Sequence, residues 1–162
     1  MMPDKTLTPA DELPVAPGPH LWRGLSTQQI MLWVLVALLP AAVAGIIFFG
    51  IGAILTILTS VVFSVVTDWF CKKLRGKPFV MDLSVVVTGL LLAMVIPATM
   101  PLWMVMIGAI FAIGIVKEAF GGLGHNIFNP ALGARAFMAA SFGVEMTTWV
   151  FDGVTTATPL SK

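Results

Sequence analysis

Charge is what this chain lacks most. Of its 162 residues only 10% are Asp, Glu, Lys or Arg, whereas 58% are hydrophobic, and the mean hydropathy is +0.98. Soluble domains carry about a quarter charged residues, so this chain cannot cover a water-facing surface and reads as an integral membrane protein. Its net charge of +1 argues against a general nucleic-acid partner. Cysteine is nearly missing too. The single Cys71 excludes an intramolecular disulfide framework and any multi-cysteine zinc or iron–sulfur site within the chain; beside Lys72 it reads as an unpaired thiol packed at a helix end. Histidine is confined to His20 and His125, too few for a metal site, which needs several convergent ligands; His125 reads as a hydrogen-bonding group. Neither a nucleophile–base pair nor paired carboxylates appear, which argues against a hydrolase. Residues 1–22 are polar and proline-rich but lack the basic start and small-residue cleavage site of a signal peptide. They are expected to be a flexible cytoplasmic tail, and the first hydrophobic segment a retained anchor.

What is present is apolar sequence in lengths that suit a bilayer. Residues 29–71 are too long for one crossing, since about 20 residues span the hydrocarbon core. Gly45, Gly50 and Gly52 predict a hairpin, giving helices at 27–48 and 51–71 before Gly76-Lys77-Pro78 breaks the chain. Between Asp82 and Pro97 there is room for about 24 Å of helix against a core of about 30 Å, so the third helix is short or broken; Asp82 is expected to cap it. A fourth helix is predicted over 102–120, and a fifth, less apolar segment over 130–150. The expectation is an all-α protein of about five transmembrane helices, with a transmembrane domain over 23–151 and an extracytoplasmic loop over 152–162. Lys72, Lys73, Arg75 and Lys77 form the densest basic cluster and place their loop, and the N-terminus, in the cytoplasm.

Two segments could carry chemistry. Gly121-Gly122-Leu123-Gly124-His125-Asn126-Ile127-Phe128-Asn129-Pro130 combines turn glycines with a good helix start, Asn as cap and Pro at the first helical position. The exposed amides could hold an anion or a flavin carbonyl, or the segment could be a plain re-entrant turn. Arg135, in an otherwise apolar helix, should face Glu118, Glu145 or a bound group. Asp68 should pair with the basic loop one turn away. The tail Asp152-Gly153-Val154-Thr155-Thr156-Ala157-Thr158-Pro159-Leu160 suits a turn held by hydroxyl-to-backbone bonds, but a threonine hydroxyl can also carry a phosphoester.

That tail resembles the Asp-Gly-x-Ser/Thr-Gly-Ala-Thr flavinylation motif of the RnfD/NqrB family, with Thr156 where glycine is usual. The Gly121–Leu132 loop with Ala134-Arg135-Ala136-Phe137 is similar to that family's loop and following helix, and Thr88-Gly89-Leu90-Leu91-Leu92-Ala93-Met94 to its third-helix signature. The resemblance covers about residues 23–160 and leans toward the D-type member of Rnf complexes. It implies one half of an inverted-repeat, ten-helix fold in a prokaryotic inner membrane. It further implies FMN bound covalently to Thr158 and installed there by a flavin transferase, a non-covalent riboflavin, and electron transfer coupled to Na⁺ or H⁺ transport. The partners implied are the other membrane and flavin or iron–sulfur subunits of an ion-translocating ferredoxin:NAD oxidoreductase. On this reading Asp152, Gly153, Thr155 and Thr156 shape the attachment loop, and Gly122, Asn126, Asn129 and Arg135 are candidate flavin contacts. The alternative is half of a small-solute or ion transporter, to which the five-helix unit with a broken third helix is also suited.

Overall fold

The computed structural model describes residues 26–76, 82–151 and 154–156. Helix α1, Thr27–Phe49, opens with a reciprocal cap: the Ser26 hydroxyl accepts from the Gln29 amide, and the Gln29 carboxamide accepts from the Ser26 amide. Gly50, at φ +63°, alone joins it to α2, Ile51–Leu74; a left-handed residue there costs a glycine little. These helices have 23 and 24 residues, about 35 Å each, enough to cross a hydrocarbon core of about 30 Å. Their outer faces are apolar: Trp33, Ile47 and Phe48 on α1, and Leu58, Val62 and Val66 on α2, are exposed.

Helix α3, Leu83–Val95, is the buried centre of the bundle. With 13 residues it reaches only about 20 Å. It stops because Ile96 precedes Pro97 and is pushed into an extended conformation (φ −110°, ψ 151°). Irregular backbone at such depth is tolerated where protein covers it, and here Ile96 and Pro97 are buried, with the Ala98 carbonyl against Gly52. Asp82, expected to cap α3, makes no side-chain cap. Its carboxylate binds Lys72 and Gln28 instead, stronger partners for an ionised group than one backbone amide.

Helix α4, Leu102–Ile110, continues into a π-helical stretch, Phe111–Glu118. The wider turn brings successive side chains closer in angle, so the neighbours Lys117 and Glu118 are both buried. Helix α5, Pro130–Ser141, and the short α6, Gly143–Thr147, follow. The fifth segment is therefore shorter than expected: helix breaks at Phe142, and Trp149–Phe151 (β1) instead pairs antiparallel with Val154–Thr156 (β2). Threonine, valine and aromatic residues favour such a ribbon over a helix. Leu92, Val105, Ala109, Ala134 and Met138 fill the core between α3, α4 and α5. Small residues let α4 and α5 approach, with Gly108 against the Met138 thioether and Phe111 stacked on Phe137 at 4.1 Å.

Candidate functional site

Charged side chains gather at one end of the bundle, where α2 ends and α3 begins. Lys72 Nζ lies 2.7 Å from Asp68 Oδ2 and 3.1 Å from Asp82 Oδ2. Gln28 of α1 donates to Asp82 Oδ1 and accepts from the Leu83 amide. Lys117 donates to Ser84 Oγ at 2.9 Å and stands 3.9 Å from Asp68 Oδ1. Arg75 Nη1 meets Glu118 Oε2 at 3.1 Å, and Nη2 meets the Glu118 carbonyl. Asp68 thus pairs with the basic end of α2, as its spacing predicts. Lys117 and Asp68 are each only 2% exposed, a burial that charged groups tolerate only when paired.

The glycine loop hangs from this end. Gly121, Gly122 and Gly124 all have positive φ (117°, 94° and 89°), as the turn reading requires. Gly122 is buried beside the Glu118 carboxylate, where an added Cβ would lie 3.4 Å from Oε1. Asn126 donates to the Phe128 carbonyl. Asn129 caps α5, its Oδ1 accepting from the Ala131 amide at 3.0 Å, with Pro130 at the first helical position. That amide is therefore already satisfied. His125 is exposed, and among the described residues no group of His, Cys, Asp or Glu could hold a metal.

Arg135 lies elsewhere. Among the described residues it pairs with neither candidate carboxylate; Glu118 is taken by Arg75. It lines a cavity of about 460 Å³ near the opposite end of α2, together with Gly45, Phe48, Thr56, Pro97 and Thr148. An apolar wall with a guanidinium and hydroxyls suits a drug-sized planar ring with a polar edge. Thr148 directly precedes β1, so the ribbon leaves from the cavity rim. Thr155 and Thr156 belong to β2 opposite Val150 and Trp149. Asp152, Gly153 and Thr158 lie outside the described residues. Arg135 and the ribbon thus share one end of the bundle, and Gly122, Asn126 and Asn129 the other.

Sequence reasoning missed Lys117 and Ser84, and the buried polar edge of α2 formed by Thr56, Ser60 and Ser64. Fourfold spacing of hydroxyls in an apolar run, ending at Asp68, was the available signal.

Comparison with known proteins gives the same family as the motifs. Residues 14–162 match the model of the NQR2, RnfD, RnfE family. The D-type component of the Na⁺-translocating ferredoxin:NAD⁺ oxidoreductase complex of Acetobacterium woodii is 48% identical over 155 residues, covering 92% of this chain and 48% of that protein. Its counterpart in the proton-translocating ferredoxin:NAD⁺ oxidoreductase complex of Clostridium ljungdahlii is 46% identical over 153 residues, 90% of this chain and 46% of that one. The corresponding component of the ion-translocating oxidoreductase complex of Haemophilus ducreyi is 44% identical over 136 residues, 82% and 39% of the two chains. The chain spans about half the length, or less, of these relatives. With its spanning-length helices and its matched length, it is a membrane protein of the NQR2, RnfD, RnfE family.

Proposed function

We propose that the chain supplies one half of the flavin-bearing membrane subunit of an Rnf-type, ion-translocating ferredoxin:NAD oxidoreductase, and that Thr158 carries FMN through a phosphoester. The observation that carries this reading is the Asp152–Thr158 sequence motif, of which Val154–Thr156 belong to a ribbon that leaves the rim of a cavity walled by Arg135 and Thr148. When bound, the flavin would supply one- and two-electron redox chemistry. The protein's share is positional. Val154–Thr156 pair with Trp149–Phe151 just before the proposed attachment residue in sequence, and Arg135 would offer a positive charge in an apolar wall to an anionic or carbonyl edge. The basic end of α2 would face the cytoplasm and the ribbon the opposite side. The remaining helices of a ten-helix, inverted-repeat unit and the other redox subunits would complete the electron path, with riboflavin as a second, non-covalent group and a flavin transferase installing the first.

A second reading, half of a small-solute or ion transporter, is favoured by the interrupted α3 beside a cavity. One experiment separates the two. Co-expression with a flavin transferase, followed by a denaturing gel, should give a fluorescent band that disappears in Thr158→Ala. A dark band from the parent, beside a fluorescent control substrate, would reject covalent flavinylation and favour the transporter.

A further inference from the structure

Helix α2 is polar on the side it hides. Thr56, Ser60, Ser64 and Asp68 recur at every fourth position, each no more than 2% exposed, along about 18 Å of helix. Hydroxyls in apolar helices ordinarily bond the carbonyl one turn back, as Thr67 does to Phe63 (2.7 Å) and Thr88 to Ser84 (2.8 Å). Ser60 instead reaches across to the Gly89 carbonyl of α3 at 2.7 Å. Among the described residues, Thr56 Oγ1, Ser64 Oγ and Asp68 Oδ1 have no hydrogen-bond partner. Leaving a buried polar atom unsatisfied is costly, and three such atoms share one edge. That edge has two distinct ends: Thr56 lines the 460 Å³ cavity, and Asp68 lies in the charged cluster with Lys117.

We propose that this edge of α2 is a proton relay, a file of hydroxyls and hydrogen-bonded water linking the Lys117–Asp68 cluster to the cavity. The proposal rests on the ion-translocating reading above. At 3.9 Å Lys117 Nζ and Asp68 Oδ1 are ion-paired but beyond direct hydrogen-bond reach. In one passage an N–H bond of Lys117 breaks and its proton goes to water in the file. Successive hydroxyls and waters each pass one proton on, and one proton leaves into the cavity. The Lys117 amine then takes a proton from the aqueous phase at the Lys72 end. One proton enters and one leaves, with no oxidant or reductant consumed. A sodium ion fits this cluster poorly. It needs several oxygen ligands, yet Lys72 already holds Asp68 Oδ2 and Lys117 faces Oδ1. The groups around Lys117 are Asp68 and Lys72 of α2, Ser84 and Asp82 at the start of α3, and its own neighbour Glu118, which Arg75 neutralises. Near Gly89 the two helices touch, so that an added Cβ would lie 3.1 Å from Ser64 Oγ; that contact is the narrow point of the file.

The test uses the whole complex, with the full-length protein, in proteoliposomes. Ferredoxin-driven NAD⁺ reduction, internal pH and ²²Na⁺ uptake are recorded together. Ser64→Val should abolish proton movement per electron while leaving uncoupled electron transfer at the parental rate, and Ser64→Thr should restore it. Unchanged protons per electron in Ser64→Val, or uncoupler-resistant ²²Na⁺ uptake lost in that variant, would overturn the relay. A second measurement does not depend on redox activity. In a Cys71→Ser background, Thr56→Cys and Ser64→Cys should react with a small water-soluble thiosulfonate, while Val85→Cys in the dry core and Leu58→Cys on the lipid face should not. A silent Ser64→Cys would refute a hydrated file even if Thr158 carries flavin, whereas a dark Thr158 band with reactive cysteines would refute only the flavin reading.

Discussion

Replacing Gly89 by alanine asks whether α2 and α3 truly touch along the polar edge. A Cβ at this position would sit 2.9 Å from the Val61 Cα, 3.2 Å from the Ser60 carbonyl and 3.1 Å from Ser64 Oγ. Two of these are backbone atoms, which can retreat only if a whole helix moves. Overpacking of this kind costs about 1–3 kcal/mol. Alanine returns roughly 1 kcal/mol by its better helix propensity, so the net loss should be about 0–2 kcal/mol. For a protein of this size that lowers Tm by up to about 8 °C. Gly45→Ala in α1 is the matched opposite: a Cβ there meets nothing within 4 Å among the described residues, so propensity acts alone and stability should hold or rise by up to about 1 kcal/mol. Both variants, in the full-length protein in detergent, are compared by heating aliquots and measuring the folded fraction by size-exclusion fluorescence. Gly89→Ala melting above the parent, as Gly45→Ala should, would refute the close contact, and with it the narrow point of the file.

Removing Arg75 leaves the Glu118 carboxylate, 8% exposed, without its partner. Because Arg75 is itself one-third exposed, Arg75→Ala should cost about 1–2 kcal/mol rather than the larger loss of a fully buried pair, and Arg75→Ala with Glu118→Gln should recover part of it in the same melting assay. Asn129→Ala removes the α5 cap and should cost about 1 kcal/mol, with faster hydrogen exchange confined to the first turn of α5. Truncating Phe111 and Phe137 singly and together should give a coupling of about 0.5–1.5 kcal/mol from their stacked contact; additive losses would mean the rings do not stack in the membrane.

Much of the fold was legible because its causes are local. The Gly50 turn, the Pro97 stop, the Gly121–Gly124 turns and the Asn129–Pro130 start each follow from what one residue's backbone permits. Where the reading of polar partners failed, a residue distant in sequence intervened. Asp82 had an amide to cap within three residues, but Lys72 and Gln28 reach it from other helices. Arg135 was matched to nearby carboxylates in the sequence, yet Arg75, 43 positions from Glu118, had already taken the better one. The candidate flavin contacts looked like one group because they are close along the chain, but α5 carries Arg135 away from Asn129 toward the cavity.

By itself the sequence determined the solvent, the first four helical segments and the family. Scarce charge leaves lipid as the only medium that can cover the chain, hydrogen bonds inside each helix need no distant partner there, and the motifs are contiguous strings. Only the tertiary structure decided which polar groups meet. The Lys117–Ser84 bond, the Ser60–Gly89 bond and the cavity between α1, α2, α3 and Arg135 depend on how close two helices come and how each is rotated. Side-chain packing across the whole bundle sets both, and no single segment of sequence carries that information.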